Sequence, residues 1–160
     1  MLDVPYLAQL IRVVLSGVPM PHSERAIPLL LGIAAQESSL KYTRQLGSGP
    51  ARGYWQMEPA TERSHWQWLA RHKSLEQALI ERCGIYEASS QALQHNIPYQ
   101  ILMARVHFYR RDPEPLPFPE AIAEQAARWK QFYNTVQGHG TIEQYMRSWE
   151  TLIAPFWSPP

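Results

Sequence analysis

Residues Leu29 to Thr61 read LLLGIAAQESSLKYTRQLGSGPARGYWQMEPAT, and this stretch decides how the rest of the chain is interpreted. It begins with an apolar run that ends in Gln36-Glu37-Ser38. A polar segment over 41–53, with three glycines and one proline, follows this run. The stretch closes with Tyr54-Trp55-Gln56-Met57-Glu58-Pro59. The order therefore predicts an apolar helix, then an irregular loop or short hairpin, then the start of another helix.

Glu37 is the unusual residue of this stretch. On a helix, its neighbours on the same face are Leu30, Ile33 and Ala34, so its side chain lies at the edge of an apolar stripe. It also lies near the end of the helix, where the macrodipole disfavours negative charge. Both effects raise the pKa of a carboxyl, and a carboxyl that stays protonated near neutral pH can act as a general acid. The alternative is an ordinary glutamate that reaches solvent.

Composition limits the kinds of protein to consider. A chain of 160 residues with an apolar fraction of 45% is expected to form one domain with a proper core. The net charge is +1 with no block of Lys or Arg, so nucleic acid is not an expected partner. The single cysteine, Cys83, excludes an internal disulfide and a cysteine-rich metal site. The six histidines show no HExxH and no close pair, so we expect neither a metal nor another cofactor.

The N-terminal residues predict a helix and not a targeting segment. Met1 to Val18 carries Asp3 and Arg12 and has no small-residue cleavage site, which favours an amphipathic helix over a signal peptide. No apolar run approaches the length of a membrane span, so membrane insertion is not expected. We therefore expect synthesis in the cytoplasm, and any work outside it requires another carrier.

Periodicity and capping residues predict a mainly α-helical single domain over 1–160, with seven to eight helices. Residues 1–22 are expected to form an N-terminal helix and linker, and residues 155–160 a flexible tail. The segment 112–119, DPEPLPFP, is expected to be an extended connector because proline recurs in it. Helices are predicted over about 4–16, 23–39, 59–70, 74–84, 86–95, 99–111, 119–134 and from 141 onward, with Asp3, Ser23, Ser74, Pro119 and Thr141 marking helix starts.

Three polar features occur in a fixed order along the chain. The first is Glu37-Ser38, the second is the pattern G-x-x-Q-M-x-P-x-T over 53–61, and the third is Tyr133-Asn134 near the end of a late helix. Together they resemble the lytic transglycosylase and goose-type lysozyme group of the lysozyme-like fold. That family has E-S, G-L-M-Q-x-x-P-x-T and A-Y-N-x-G motifs. The resemblance covers 36–61 and 133–138 and implies a lysozyme-like helical domain.

The chain departs from the family's motifs at three places. Tyr54-Trp55 stand where the family has Leu-Met, and Phe132 replaces the alanine before Tyr-Asn. Thr135-Val136-Gln137-Gly138 replaces the usual Ala-Gly. RRDPEPLP, followed by W-K-x-x-Y-N-T, also resembles small transglycosylase-like proteins of tailed bacteriophages. That resemblance implies a phage-encoded protein, delivered to the periplasm and cell wall by a virion or a pore, with other virion proteins as partners.

The resemblance implies cleavage of the β-1,4 bond between N-acetylmuramic acid and N-acetylglucosamine in peptidoglycan strands. Glu37 would protonate the glycosidic oxygen and then deprotonate the 6-hydroxyl of the muramoyl sugar, which gives a 1,6-anhydro product. Ser38 would hold Glu37 or substrate, Gln56 would bind sugar or orient the acid, and Trp55 would stack on a sugar face. Tyr133 would hydrogen-bond Glu37, and Asn134 would position the loop or substrate.

Each companion residue also has a purely structural interpretation. Ser38 can be the last residue of a helix, Gln56 can bond only to loop backbone, and Asn134 can be a C-cap. Tyr133 can belong to the core, as most of the six tryptophans should. Glu58 and Glu62 would supply a second carboxylate or, as we prefer, favourable charges at a helix start.

Three functions follow from these expectations. The first is a lytic transglycosylase with Glu37 as its single acid and base. The second is a hydrolytic muramidase, which adds water across the same bond. The third is a structural or ejected phage protein with a degenerate site, which the departures from the family motifs suggest.

Overall fold

In a computed structural model, the structure describes residues 1–134 and 138–160, and these residues are mainly α-helical, as the sequence predicts. Thr135, Val136 and Gln137, where the sequence departs from the Ala-Gly of the family motif, lie outside the described residues. The described α-helices are α1 (Val4–Leu15), α2 (Ser23–Ser38), α3 (Pro59–Leu69), α4 (Lys73–Cys83), α5 (Ser90–His95), α6 (Ile97–Arg111), α7 (Ile122–Trp129) and α8 (Ile142–Ser148). Two π-helical turns, Lys130–Asn134 and Trp149–Ile153, continue α7 and α8.

Helix α2 is the centre of the fold. Every residue from Ala26 to Ala35 is buried, and the helix packs against α1, α6, α7 and α8. A helix that is apolar on all sides must be enclosed by other elements. Its C-terminal end is fixed by Ser39 and Leu40, which both adopt positive φ, and the Leu40 N–H donates to the Ala34 carbonyl. Because Glu37 lies one residue before the end of α2, this fixed helix end also fixes the position of Glu37 at the edge of the core.

Three predicted helix boundaries are confirmed, namely two starts with a capping side chain and one end at a glycine. Asp3 accepts a hydrogen bond from the Tyr6 N–H at 2.7 Å and begins α1. Thr141 and Gln144 form the predicted reciprocal capping box of α8. The Cys83 end of α4 is followed by Gly84 with a φ of 71°, as predicted for a glycine that ends a helix.

Other predicted caps or starts are wrong, although α2 does begin at Ser23 as predicted. Ser23 does not cap α2, since His22 holds that position with a φ of 60° and no side-chain bond. Ser74 lies inside α4, which begins at Lys73. Pro119 precedes α7 by three residues, because the Gln125 amide donates to the Phe118 and Pro119 carbonyls and keeps this segment out of the helix.

Two further boundaries differ from prediction. The helix expected over 86–95 is restricted to α5, because Ser89 supplies the cap by accepting from the Ala92 N–H at 3.1 Å. Helix α6 begins at Ile97 and not at Tyr99, because the Asn96 side chain caps it and Pro98 fits in the first turn.

The segments outside the helices are held by specific contacts. Residues 112–119 lie outside the helices, as predicted, and the Arg128 side chain binds Asp112 at 2.6 Å together with the carbonyls of Glu114 and Pro115. Between α2 and α3, the described β structure consists of isolated bridges that join Arg52 to Arg44 and to Met57. In the segment predicted as a flexible tail, the Trp157 ring packs edge-on against Trp149, with centroids 6.3 Å apart. Within the described ranges, none of the helices has the length and apolar character needed to cross a lipid bilayer.

Glu62 joins three helices from a buried position in the first turn of α3. Only 1% of its surface is exposed. Its Oε1 accepts from the Ser89 N–H at 2.6 Å and from the Tyr99 hydroxyl. It therefore anchors the start of α5 and α6 to α3, and is neither a solvated helix charge nor a carboxylate in the cleft described below.

Replacing Glu62 by leucine should lower the free energy of unfolding by roughly 2–4 kcal/mol, because the Ser89 N–H and the Tyr99 hydroxyl lose their acceptor in a buried place. Replacing it by glutamine should cost only about 1 kcal/mol, since an amide oxygen can accept both bonds. Guanidinium unfolding followed by circular dichroism measures both values. Equal losses for the two variants would show that these hydrogen bonds do not stabilise the fold.

Candidate active site

Glu37 lies in the last turn of α2 and is half-buried. Its Oε1 accepts a hydrogen bond from the Trp129 indole N–H at 2.8 Å. Burial raises the pKa of Glu37 from 4.5 to about 7, and the bond from Trp129 lowers it again in part. The predicted direction of this pKa shift is confirmed, with burial as its cause. At neutral pH, Glu37 is thus divided between the protonated acid and the carboxylate.

Trp129 is a site residue that the sequence reasoning missed. It is the last residue of α7 and is fully buried, with its ring 5.3 Å from that of Tyr145. Gly140 passes so close to this ring that a Cβ there would come within 2.6 Å of it. The signal in the sequence is the spacing from Tyr133, four residues later, which places both side chains on one helical face.

Ser38 follows Glu37 but does not bind it. Its side chain is buried, and its hydroxyl donates to the Ala34 carbonyl at 2.9 Å. This bond along the helix corresponds to the structural interpretation of Ser38, and the expected bond to Glu37 is absent from the described contacts. The hydroxyl thereby satisfies a carbonyl of the last turn of α2.

The loop from Gly53 to Met57 is fastened to the core by its own residues. Gly53 has a φ of 78° and lies against α5 and α6, where the Gln100 side chain accepts from the Tyr54 N–H at 2.8 Å. The amide of Gln56 donates to the Gly53 carbonyl at 2.8 Å, so this amide bonds to loop backbone. Gln56 nevertheless also lines the cleft described below.

Trp55 was expected to stack on a sugar, and this expectation is wrong. Only 1% of its surface is exposed, and its indole N–H donates to the Leu30 carbonyl at 2.9 Å. The ring therefore packs against α2 and cannot reach a ligand. Trp55 fastens the loop to the same helix that carries Glu37.

Tyr133 links the first π-helical turn to the loop. Its hydroxyl donates to the Trp55 carbonyl at 2.7 Å and not to Glu37 as expected. The ring packs on His107, with centroids 4.7 Å apart, and is stacked on Phe108 at 5.9 Å. Burial and the charge of Glu37 hold the pKa of Tyr133 well above its usual range, so Tyr133 lies close enough to Glu37 to sense its charge.

Asn134 is positioned by a lysine. The Lys130 ammonium donates to the Asn134 Oδ1 at 2.8 Å and to the Gly138 carbonyl at 2.7 Å. Gly138 leaves no room for a Cβ, which would lie 2.3 Å from the Asn134 carbonyl oxygen. Lys130 thus joins Asn134 to Gly138, and Asn134 also lines the cleft.

A buried pair of histidines supports the same turn from behind. The Phe132 carbonyl accepts from His107 Nε2 at 2.8 Å, and His107 Nδ1 lies 3.1 Å from His65 Nε2. Arg110 donates to His65 Nδ1 at 3.2 Å, so that nitrogen is an acceptor. These bonds assign the proton of each neutral ring to Nε2. The sequence spacing did not reveal the pair, because 42 residues separate its members.

Acid should destabilise the protein through this pair. Burial lowers the pKa of His65 to about 3 and that of His107 to about 4, both below the ordinary value of 6.5. Unfolded chains therefore bind more protons as the pH falls from 6.5, and the stability present above 6.5 is lost toward pH 3–4. Guanidinium unfolding at several pH values should show this slope, with a shallower one in His107→Gln. Identical slopes would contradict the assignment.

A polar cleft of about 280 Å³ lies where the loop, α3, α6 and the π-helical turn meet. Its lining residues include Gln56, Glu58, Arg111, Tyr133 and Asn134. The structure therefore brings Gln56, Tyr133 and Asn134 together in one cleft, and Glu37 does not belong to its lining. Within the described ranges, no three His, Cys, Asp or Glu side chains converge on a point where a metal ion would bind.

Comparison with known proteins gives no relative: no family model, no curated protein and no solved structure matches the chain.

The bond from Trp129 should set the pKa of Glu37. In Trp129→Phe, the carboxylate loses its donor while it stays buried, so its pKa should rise above about 7. Carboxyl ¹³C chemical shifts measured against pH report this value directly. Trp66→Phe is the matched control, since Trp66 donates its indole N–H to Tyr99 and not to Glu37. An unchanged Glu37 titration in Trp129→Phe would contradict the role given to the bond.

Proposed function

We propose that the chain is a peptidoglycan lytic transglycosylase with a lysozyme-like fold, which cleaves the bond between N-acetylmuramic acid and N-acetylglucosamine. The observation that carries the proposal is Glu37, a half-buried carboxyl with a pKa of about 7 in the last turn of the central helix, whose charge acts on Tyr133. An acid with this pKa can give a proton at neutral pH and take one back. The ordered motifs at 37–38, 53–61 and 133–134 connect this chemistry to peptidoglycan.

In the proposed mechanism, Glu37 acts twice. As the protonated acid, it gives its proton to the glycosidic oxygen while the bond to the muramoyl C1 breaks. As the carboxylate, it then removes the proton of the muramoyl 6-hydroxyl, whose oxygen bonds to C1 and closes the 1,6-anhydro ring. The proton taken from the hydroxyl restores the acid, so the cycle requires no water and no second carboxylate.

The neighbouring residues support these two protonation states. The Trp129 N–H stabilises the carboxylate that remains after the first step, which keeps the pKa of Glu37 from rising further. Tyr133 and Trp55 hold the loop and the π-helical turn at a fixed separation through one hydrogen bond of 2.7 Å. Gln56 and Asn134 supply amides along the cleft for hydroxyl and acetamido groups of a sugar.

A hydrolytic muramidase is the second candidate, and Glu58 favours it. Glu58 is exposed, lines the cleft, and makes no side-chain capping bond at the start of α3. It would serve as a base that activates water, as the second carboxylate of an inverting glycosidase does. Digestion of purified sacculi in H₂¹⁸O separates the two reactions. Hydrolysis places ¹⁸O in the new reducing end, whereas closure of the anhydro ring incorporates none.

The proposal is tested with purified protein and purified sacculi. We expect a fall in turbidity together with release of soluble muropeptides, and we expect Glu58→Gln to retain both. A protein that releases nothing, yet copurifies with phage particles, would replace the enzymatic proposal by that of a virion protein with a degenerate site.

A further inference from the structure

A second pocket, of about 430 Å³, lies on another face of α6. It is bounded by the end of α3, by Pro21 and His22 before α2, and by the extended segment after α6. It shares no lining residue with the cleft near Tyr133. The proposed catalysis makes no use of this pocket, so the role of the pocket requires a separate explanation.

The wall of this pocket contains a buried arginine. Only 3% of Arg105 is exposed, and its Nη2 donates to the Pro21 carbonyl at 2.8 Å. Its Nε is buried without an acceptor, and Arg105 forms no ion pair with any carboxylate of residues 1–134 and 138–160. The nearby Asp112 is already bound to Arg128 at 2.6 Å. Arg105 is thus a buried cation that lacks a directly bonded carboxylate within the described part of the chain, and an anion in the pocket would be attracted by its charge.

The electrostatics of Arg105 agree with this geometry. Burial lowers its pKa from 12.5 to about 10, and electrostatic contributions from Tyr109 and Asp112 offset this only in part. The side chain remains a cation at neutral pH. Its positive charge favours a ligand that carries a carboxylate.

Aromatic rings line part of the same pocket. The ring of His72 is stacked on that of Trp68, with centroids 3.7 Å apart, and Tyr109 meets Trp68 edge-on at 6.1 Å. Tyr109 is 40% exposed, and the Arg105 guanidinium lies 5.8 Å from the centroid of its ring. Exposed aromatic surface of this kind is suited to cover the face of a ring-shaped ligand.

The lining also limits the charge of a ligand. Asp112 and Glu114 belong to the pocket, and their carboxylates oppose a dianion such as phosphate. The single guanidinium of Arg105 can neutralise one negative charge on a ligand.

We propose that this pocket binds a monocarboxylate carried on a six-membered ring, with the carboxylate near the charge of Arg105 and the ring near Trp68 and Tyr109. The proposal is independent of the activity assigned to Glu37. Two sources share this chemistry: an acidic sugar and an aromatic acid.

Calorimetric titration with matched probes tests the proposal. N-acetylmuramic acid is compared with N-acetylglucosamine, which lacks the carboxylate, and benzoate is compared with benzyl alcohol. At least one of the two acids should bind at least tenfold more tightly than its neutral partner, and the preferred pair identifies the source. Inorganic phosphate should bind more weakly than that acid. Equal binding of acid and neutral probe in both pairs, or preferred binding of phosphate, would overturn the proposal.

Substitutions in and outside the pocket test where the acid binds. Arg105→Met should weaken the preferred acid at least tenfold, and Arg63→Met, at an exposed arginine, should not change it. Trp68→Leu leaves the Arg105 contacts intact and should weaken binding severalfold, which keeps the test valid if Arg105→Met does not fold. Glu37→Gln should bind the acid normally even if it is inactive. Binding that survives Trp68→Leu unchanged, or that is lost in Glu37→Gln, would place the ligand elsewhere and refute the proposal.

Discussion

Replacing Glu37 by glutamine is expected to reduce the rate of muropeptide release by about 10²–10⁴-fold, the usual contribution of a general acid and base. The amide is nearly isosteric, and its oxygen can still accept the Trp129 N–H. The change therefore removes the transferable proton with little change of shape. Initial rates on purified sacculi, with protein concentrations matched, give the ratio.

The same substitution should make the protein more stable at high pH. The folded pKa of Glu37, about 7, lies above its ordinary value of 4.5, so the stability present below pH 4.5 is lost as the pH rises through 7. This loss is on the order of 3 kcal/mol, and glutamine does not incur it. Glu37→Gln should thus exceed the wild type in free energy of unfolding at pH 8 and match it near pH 4.

The exposed Glu143 of α8 supplies the control for both measurements. Glu143→Gln should leave the rate and the pH dependence of stability as they are in the wild type. If Glu37→Gln digests sacculi at the wild-type rate, both the transglycosylase and the muramidase are excluded, whatever its stability.

Replacing Gly53 by alanine is expected to lower the free energy of unfolding by roughly 2–5 kcal/mol. The new Cβ would lie 2.3 Å from the Leu93 carbonyl oxygen and 2.7 Å from the Gln100 side chain, and the φ of 78° is unfavourable for alanine. Because the Gln100 oxygen holds the Tyr54 N–H, relief of this clash should also displace the loop that carries Gln56. Chemical unfolding measures the stability, and sacculus digestion measures the effect on the loop.

Gly47 separates backbone strain from the clash. It has a φ of 84°, and a Cβ added there would meet nothing within 4 Å. Gly47→Ala should therefore cost only the strain, roughly 1–2 kcal/mol. Equal losses at Gly47 and Gly53 would mean that the close approach of the loop to α5 and α6 is not what requires glycine.

The elements that local sequence specifies could be predicted. Asp3 and Thr141 mark helix starts because each side chain bonds to a backbone N–H three residues later. The apolar run of α2 specifies a central buried helix because no other environment suits it. Ser23 and Ser74 were wrongly predicted as caps, because His22 and His72 hold the cap positions of α2 and α4 and leave both serines inside the helices.

Only the part of the candidate site that shows in the local sequence could be predicted. Glu37 was found because it contradicts its local surroundings. Trp129 was missed, because its bond to Glu37 joins residues 92 positions apart. Trp55 was misassigned for the same reason: a tryptophan in a polar loop gives no sign that Leu30, on α2, will accept its N–H.

The π-helical turn at Lys130–Asn134 could not be predicted from the local sequence either. Residues Lys130–Asn134 have the composition of an ordinary helix end. What holds their geometry is distant: His107 binds the Phe132 carbonyl, and the Tyr133 hydroxyl binds the Trp55 carbonyl. Such turns are frequent at functional sites, where the additional residue redirects side chains.

Mass spectrometry of the fragments released from purified sacculi tests the proposed function most directly. We expect the wild-type protein to release muropeptides whose muramoyl ends are one water lighter than reducing ends, and Glu37→Gln to release almost none under the same conditions. Release of such anhydro fragments by both proteins at equal rates, or by neither, would contradict the role proposed for Glu37.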